Sequence, residues 1–254
     1  MQIHSFGISD RGIIRDANED HFLVNEKNGI FLVADGMGGL SNGDLASKIA
    51  IDTIEHFIKH SKKEDITWPI EPDDHYSIEE NRFLAAIFLA NRRIYDQAQN
   101  NPAMGRMGTT LTGFIVDREN MIVANVGDSR VYLINNEAIS QLTRDHTLVM
   151  EEVRRGNLTI EEARVHPKKH IITRAVGTSS STQADIHTTR LKKTGFYLIC
   201  SDGLTDMVSD EDILSIIRSN RERSLNELGR SLIATAIDNG GRDNITVVLL
   251  HFSE

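Results

Sequence analysis

Four aspartates stand where apolar, strand-like segments begin or end, and this placement limits what the chain can fold into. Asp35 follows the run IFLVA, Asp128 follows MIVANVG, Asp202 follows FYLICS, and Asp243 stands two residues before ITVVLL. An ionised carboxylate at the end of a buried strand is costly unless it is paired or binds a metal ion. Strands packed in one sandwich can bring such ends to a common edge, where the carboxylates repel one another unless a cation lies between them. The sequence therefore predicts a metal centre.

A glycine accompanies each of these aspartates: residues 35–36 and 202–203 are Asp-Gly, residues 127–128 are Gly-Asp, and Gly241 stands two residues before Asp243. Glycine permits a sharp turn and lets a backbone carbonyl approach an ion. One Asp-Gly pair alone is more typical of a turn aspartate that caps its own backbone, but four at strand ends favour a shared site. Oxygen ligands suit Mg²⁺, Mn²⁺ or Ca²⁺ and disfavour structural zinc.

The segment R-D-A-N-E-D at residues 15–20 adds two more carboxylates and a cation. By itself the string is typical of a solvated turn. Beside a cluster of metal ligands, however, Glu19 and Asp20 would offer further oxygens. Arg15 would supply a planar fork of donors that fits a phosphate oxyanion. We interpret the combination as a site for a phosphate group held between metal ions and an arginine.

The apolar pattern predicts strands and helix pairs. Short runs rich in Val, Ile, Phe and Thr predict strands over residues 30–34, 109–116, 121–126, 131–134, 196–200 and 245–252. Helical spacing on both sides of a polar loop at residues 61–81 predicts two helices, the first with Ser41 or Asn42 as its N-cap. Further helical patterns cover residues 147–170, 210–218 and 225–237. Strands interrupted by helix pairs indicate a layered α+β domain.

Composition narrows the setting of the chain. Its 28 basic and 37 acidic side chains give a formal net charge of −9, which argues against a nucleic-acid partner. The one cysteine, Cys200, excludes an intrachain disulfide and favours a reducing compartment. The longest apolar run, residues 83–90, is far shorter than the ~20 residues that span a bilayer. The first residues lack the pattern of a secretory signal, so we expect a cytoplasmic protein with no membrane span.

Seven sequence blocks together resemble the metal-dependent protein Ser/Thr phosphatases of the bacterial protein phosphatase 2C type. The blocks are R-D-A-N-E-D (15–20), A-D-G-M-G-G (34–39), G-T-T (108–110), V-G-D-S-R-V-Y (126–132), T-R-D-H (143–146), C-S-D-G-L-T-D (200–206) and G-G-R-D-N-I-T (240–246). They occur in the family's order and span nearly the whole chain. Each block alone is weakly specific, but seven in order indicate this family strongly.

The resemblance implies a centre with two Mn²⁺ or Mg²⁺ ions and a third, weaker one. The implied roles fall on these residues: Asp35 bridges two ions, the carbonyl of Gly36 holds the first, Asp202 and Asp243 bind the second, Glu19 and Asp20 act mostly through metal-bound waters, Asp128 with Asp202 holds the third, and Arg15 binds the substrate phosphate. Met37 stands where eukaryotic relatives have a histidine proposed as general acid. The resemblance therefore favours a metal-bound water over a side chain as the proton source.

The resemblance also implies a fold and a reaction. The fold is a four-layer α-β-β-α sandwich of two antiparallel sheets flanked by helix pairs, formed by one catalytic domain over residues 1–254 with a small helical flap at about 147–170. The reaction is hydrolysis of phosphoserine or phosphothreonine by a water that two divalent ions activate together. The implied partners are phosphorylated proteins and a cognate bacterial Ser/Thr kinase, and the implied oligomeric state is a monomer.

Two other functions remain open at this point. Residues 39–43 fit G-x-S-x-G, the nucleophile elbow of serine hydrolases, although that elbow turns directly from strand to helix whereas Asp35 ends the predicted strand six residues before Ser41. A phosphoprotein-binding member of the same fold without activity is the second, although this chain keeps every metal carboxylate. A cysteine phosphatase is excluded, because Asp206 stands where the C-x-x-x-x-x-R motif beginning at Cys200 requires arginine.

Overall fold

The strand Ile30–Gly38 (β3) shows how the sequence builds layers. The computed structural model describes residues 2–38, 42–62, 67–101, 105–135 and 137–253. In β3, Ile30, Leu32 and Ala34 pack against helices, whereas Phe31 and Val33 face a second sheet. Because side chains alternate along a strand, a strand that is covered on both faces is apolar at every position. The run IFLVA is such a strand.

The described residues form two antiparallel sheets and the helices that cover them. The strands are β1 (Gln2–Asp10), β2 (Asp20–Asn25), β3, β4 (Met107–Thr109), β5 (Leu111–Asp117), β6 (Asn120–Val126), β7 (Arg130–Ile134), β8 (Ile139–Gln141), β9 (Asp185–Arg190), β10 (Phe196–Cys200) and β11 (Ile245–Ser253). The helices are α1 (Asn42–Ser61), α2 (Ile78–Asn100), α3 (Leu148–Arg154), α4 (Ile160–Val165), α5 (Asp202–Thr205), α6 (Asp210–Ser219) and α7 (Leu225–Asp238).

The two sheets lie between two helix pairs and make four layers. One sheet has the strand order β1-β11-β10-β7-β8, and the other has β2-β3-β5-β6-β9 with β4 paired to β3. Helices α1 and α2 pack on the second sheet, and α6 and α7 pack on the first. The four-layer α+β sandwich expected from the sequence is confirmed.

An aromatic cluster fills the space between the sheets. The ring centroids of Phe31 and Phe114 are 5.6 Å apart, those of Phe114 and Tyr197 are 5.6 Å apart, and those of Tyr197 and Phe252 are 5.5 Å apart. Phe31 and Phe114 belong to one sheet and Tyr197 and Phe252 to the other, so the contact between Phe114 and Tyr197 joins the two sheets. All four side chains are almost completely buried.

The sequence pattern missed four strands and merged two. Strands β1, β2 and β9 mix polar and apolar residues, because they are edge strands with partly exposed side chains, and β8 is an edge strand of three residues. The predicted strand over residues 109–116 divides at Thr110, whose backbone N–H donates to the carbonyl of Asp35 (2.8 Å). This bond lies between the part of β3 that pairs with β5 and the part that pairs with β4.

The predicted helices are present. Helix α1 begins at Asn42, and the alternative N-cap Ser41 lies outside the described residues, as does the Gly39–Ser41 portion of the possible nucleophile elbow. Strand β3 continues to Gly38, three residues beyond Asp35. Residues 147–170 contain α3 and α4, which form the predicted flap. No helix among the described residues is long and apolar enough to cross a membrane.

The aromatic cluster gives a prediction about stability. Replacing Phe114 with alanine should lower the free energy of unfolding by about 3–5 kcal/mol, because the change removes a buried ring and leaves a cavity between the sheets. Urea unfolding followed by circular dichroism measures the difference. The matched control is Tyr76→Ala, whose ring is 39% exposed and whose loss should change stability little. Equal effects of the two substitutions would contradict the assignment of Phe114 to the core between the sheets.

Candidate metal centre

Asp20 and Asp35 lie side by side at the end of one sheet. They are direct partners in the antiparallel pairing of β2 with β3, so their side chains project from the same face. Like charges at directly opposed positions destabilise a sheet. Asp20 is 5% exposed, so water does not relieve this repulsion.

Three further aspartates reach the same place from both sheets. Asp128 lies in the turn between β6 and β7, Asp202 is the first residue of α5 directly after β10, and Asp243 precedes β11. The negative charges of Asp20, Asp202, Asp128 and Asp243 all act on the carboxyl group of Asp35. The structure therefore brings together the five aspartates that the sequence analysis singled out.

Crowding and burial disfavour the charged form of these carboxyl groups. Burial raises the pKa of Asp20 to about 7, although hydrogen bonds from Thr246 and Ser201 oppose the shift. Burial, together with the charges of Asp243 and Asp206, raises the pKa of Asp202 to about 6. The pKa values of Asp35 and Asp128 lie well above the ordinary range, again because of burial first and neighbouring carboxylates second.

Three buried oxygens of the cluster are left without a hydrogen-bond partner within the described residues: Oδ1 of Asp20, Oδ1 of Asp128 and Oδ1 of Asp202. A buried polar atom without a partner is costly and needs an explanation. Unpaired carboxylate oxygens, mutual repulsion and raised pKa values are what a cation among these groups would relieve. The donor set consists of oxygens, and it fits Mg²⁺ or Mn²⁺.

Buried hydroxyl groups hold the aspartates in place, and the sequence analysis missed them. Asp20 Oδ2 accepts from Ser201 Oγ (2.8 Å) and from Thr246 Oγ1 (2.7 Å), which leaves Oδ1 free. The backbone N–H of Asp35 donates to Thr110 Oγ1 (2.9 Å), and Thr110 Oγ1 lies 2.8 Å from Ser129 Oγ. The signal in the sequence is that Ser129 follows Asp128 and Ser201 precedes Asp202.

Arg15 is the predicted phosphate ligand, and it lies at the open side of the cluster. Its Nη2 bonds to Oδ2 of Asp243 (2.6 Å), and its side chain is 52% exposed. The hydrogen bond with Asp243 raises the pKa of Arg15 above its usual value. Asn244 fixes the surrounding loop, because its Nδ2 donates to the carbonyls of Arg11 and Ala17 (2.9 Å each). The guanidinium is thus anchored on one carboxylate while other donors face solvent.

Glu19 and Gly36 both pack closely against Gly43 in the first turn of α1. Oε1 of Glu19 accepts from the backbone N–H of Gly43 (3.2 Å), so this carboxylate caps a helix N-terminus. Gly36 donates its N–H to the carbonyl of Glu19 (3.1 Å). A Cβ on Gly36 would lie 2.1 Å from the carbonyl oxygen of Gly43, so only glycine fits here. The structure thus places Glu19 beside the cluster with its side chain already engaged.

The flap meets the cluster through Lys169 and His170, which contact Asp206 at the end of α5. Asp206 receives bonds from Lys169 Nζ (2.9 Å) and His170 Nδ1 (3.2 Å) of the flap. His170, Asp202 and Asp206 each offer a ligand atom within 4.8 Å of the others. Asp202 and Asp206 are four residues apart, a spacing that places side chains on one helix face. A cavity of about 620 Å³ lies between the flap and α5–α6 and reaches Asp128 and Asp202.

The raised pKa values predict how pH affects the metal-free protein. An aspartate in an unfolded chain has a pKa near 4, and that of Asp20 in the folded protein is about 7. Between these values the folded state binds a proton that the unfolded state lacks, so the free energy of unfolding falls as pH rises through this window. In EDTA, Asp20→Asn should therefore lose less stability than the wild type between about pH 4.5 and pH 7.5. The melting temperature of each protein is measured across this pH range. An equal decrease for the two proteins would refute the prediction.

Comparisons with known proteins agree with the geometry. The family model for protein phosphatase 2C matches residues 1–245. The serine/threonine phosphatase Stp of Listeria welshimeri is 37% identical over 251 residues, which cover 98% of this chain and 95% of the relative. The protein phosphatase PhpP of Streptococcus pneumoniae is 34% identical, with 97% of this chain and 96% of the relative covered.

Solved structures show the same fold. The serine/threonine phosphatase PstP/Ppp of Mycobacterium tuberculosis has a TM-score of 0.87 and 31% identity, and all of both chains is covered. The catalytic domain of PstP, solved with two manganese ions, has a TM-score of 0.82 and 31% identity, with 98% of this chain and 97% of that chain covered. The chain therefore belongs to the protein phosphatase 2C family and is a protein serine/threonine phosphatase.

Proposed function

We propose that the carboxylate cluster is the active site, and that it hydrolyses phosphoserine and phosphothreonine in proteins by direct attack of water on phosphorus. The observation that carries this proposal is the convergence of five aspartates from both sheets, three of which have a buried, unpartnered oxygen. The negative charge of the carboxylates repels a phosphate group, so the cluster can hold a phosphate only when divalent ions neutralise that charge. Arg15 then supplies a fixed positive charge at its open side.

The ligand set proposed for two Mn²⁺ or Mg²⁺ ions is Asp35 and the carbonyl of Gly36, with Asp202 and Asp243. Asp20 and Glu19 would contribute through water, and Asp128 with Asp202 would hold a third, weaker ion. The PstP structure with two manganese ions supports a centre with two metals. Bound there, the ions would supply Lewis-acid chemistry, which lowers the pKa of the attacking water and offsets charge on the phosphate oxygens.

Arg15 is proposed to orient the phosphate. One of its nitrogens is committed to Asp243, and the rest of the guanidinium is exposed on the side from which a substrate would approach. Arginine presents several N–H groups in one plane and so can bond two phosphate oxygens at once. An exposed arginine held by a single carboxylate is therefore placed to bind the phosphate and to stabilise charge that develops on its oxygens.

Direct hydrolysis is favoured because the nucleophilic side chains near the cluster are already engaged or protonated. Burial raises the pKa of the Cys200 thiol to about 12, so the thiolate is scarce at neutral pH. Ser201 Oγ bonds to Asp20, and Ser129 Oγ lies 2.8 Å from Thr110 Oγ1. Both serines are completely buried, so neither reaches a phosphoprotein.

The proposed setting follows from the same resemblance. We propose that this chain acts as one catalytic domain and as a cytoplasmic monomer. Its substrates would be phosphorylated proteins, among them a Ser/Thr kinase and the targets of that kinase. The relatives Stp and PhpP support phosphorylated proteins as substrates, because both are named as protein or serine/threonine phosphatases. Neither a nucleic-acid nor a membrane-spanning role is part of this proposal.

Asp35→Asn tests the active site. We expect hydrolysis of p-nitrophenyl phosphate and of a phosphothreonine peptide to fall about 10³-fold or more, because losing a metal ligand removes several kcal/mol of transition-state stabilisation. EDTA should abolish the wild-type activity. Millimolar Mn²⁺ should raise the melting temperature of the wild type and raise that of Asp35→Asn less, since ions that bind only the folded state stabilise it.

The matched control for this test is Asp117→Asn. Asp117 also ends a strand, β5, but at the end away from Thr110 and Asp35. This variant should keep the wild-type rate and the wild-type response to Mn²⁺. Full activity of Asp35→Asn, or wild-type activity in EDTA with inhibition by a serine-reactive fluorophosphonate, would overturn the proposed function.

Arg15→Ala separates phosphate binding from chemistry. We expect KM for p-nitrophenyl phosphate to rise about 10- to 100-fold, because the variant loses charge-assisted hydrogen bonds of about 1.5–3 kcal/mol to the phosphate. The rate constant kcat should change less than KM. Arg11→Ala is the control, because Arg11 lies in the same loop and its side chain bonds only to the carbonyl of Asp16 (3.2 Å) within the described chain. Unchanged KM in Arg15→Ala would exclude the proposed role.

A further inference from the structure

The turn that carries Asp128 is fixed through the residue before it. Gly127 has a φ of 109°, a backbone conformation that residues other than glycine rarely adopt. A Cβ at this position would lie 2.6 Å from Thr110 Cγ2. Asn125 Nδ2 donates to the carbonyl of Gly127 (3.0 Å). The direction in which the Asp128 carboxylate points therefore depends on how the two peptide groups of Gly127 are held.

His146 bonds to Gly127 twice. Its backbone N–H donates to the carbonyl of Gly127 (2.9 Å), and its ring Nδ1 lies 3.2 Å from the backbone nitrogen of Gly127. A backbone N–H can only donate, so Nδ1 must carry a lone pair and, in the neutral ring, the proton must be on Nε2. The ring is 5% exposed, and burial lowers the pKa of His146, which favours the neutral form.

Asp185 faces the other side of the same ring. Its Oδ2 lies 3.2 Å from His146 Nε2, and its Oδ1 accepts from Arg174 Nη1 (2.8 Å), which itself lies 3.3 Å from Nε2. Because Nδ1 already accepts from Gly127, Nε2 carries the proton, so Nε2–H donates to Asp185 and Arg174 Nη1 bonds to the carboxylate rather than to the ring. A carboxylate at Nε2 selects the tautomer with the proton on that nitrogen, because it can only accept. Arg174 holds the carboxylate from its second oxygen. The chain of contacts thus runs from Arg174 through Asp185 and His146 to Gly127, one residue before Asp128.

We propose that His146 and Asp185 form a positioning pair for the phosphatase reaction: Asp185 fixes the tautomer of His146, and His146 Nδ1 holds Gly127 so that Asp128 points into the metal centre. The inference rests on the proposed function, because it takes Asp128 as a metal ligand. His146 touches neither the proposed ions nor the substrate, so it acts through the turn. Partners of this kind, behind the residues that bind a metal, typically change metal affinity or activity 10- to 100-fold when removed.

The tautomer is tested by NMR, independently of metal or activity. In the metal-free wild-type protein, long-range ¹H–¹⁵N spectra of the imidazole should show His146 with a bare Nδ1 and a protonated Nε2. Asp185→Asn should disturb this state, because an amide NH₂ must then face either Nε2–H or the donor group of Arg174. A wild-type spectrum with Nδ1 protonated would refute the pair.

The positioning role is tested by metal binding and kinetics. His146→Phe keeps a ring but has no acceptor for Gly127, and we expect the weakest Mn²⁺-binding step, measured by calorimetry, to weaken about 10- to 100-fold. The kcat for p-nitrophenyl phosphate should fall while KM changes less. His146→Asn, whose side-chain oxygen can accept near the position of Nδ1, should recover part of the loss. Asp185→Asn provides a second test if His146→Phe does not fold.

The control is His187→Phe, a change at an exposed histidine of β9, two residues from Asp185. It should bind Mn²⁺ and turn over substrate as the wild type does. Wild-type Mn²⁺ affinity and kcat in both His146→Phe and Asp185→Asn would overturn the proposed pair. If the wild type and His187→Phe themselves neither bind Mn²⁺ nor hydrolyse p-nitrophenyl phosphate, the proposed function fails, and the NMR spectrum still decides the tautomer.

Discussion

Repulsion among buried carboxylates is the constraint on which the rest of this structure depends. Asp20, Asp35, Asp128 and Asp202 have raised pKa values because they are removed from water and placed against one another. Neighbouring hydroxyl and backbone donors satisfy only some of their oxygens. The favourable burial of apolar side chains in the rest of the chain must offset this unfavourable energy. The same repulsion favours the binding of divalent ions, because an ion would separate the negative charges and contact the carboxylate oxygens that have no hydrogen-bond partner.

The four-layer sandwich makes such a cluster possible. Strands β3, β10 and β11 are buried on both faces, and a close-packed interior of this kind holds the strand ends rigidly. The turns at those ends are then fixed individually: Asn244 bonds the loop that carries Arg15, and His146 bonds the turn that carries Asp128. Rigid strands determine where the carboxylates meet, and turn contacts determine where each one points.

Prediction from sequence succeeded where burial leaves a strong pattern. The run that became β3 is apolar at every position because helices cover one face and a sheet covers the other, and α1 and α2 have clear helical spacing. It failed for β1 and β9, whose sides face solvent in part, and for the break at Thr110, which depends on a bond to Asp35 across the sheet. The roles of Thr110 and Asp185 also escaped, because a hydroxyl or a lone aspartate has no distinctive local pattern.

The sequence by itself indicated a layered α+β domain and a set of strand-end aspartates, because apolar periodicity and glycine turns are local features that neighbouring residues encode. Its seven motif blocks indicated the family, and the resemblance implied the four layers. Only the tertiary structure decided that Asp20 and Asp35 are direct partners, that Glu19 caps a helix, and that His146 holds the turn of Asp128. Each of these contacts joins residues that are distant along the chain. Their formation depends on strand register and sheet packing, which a local pattern does not specify.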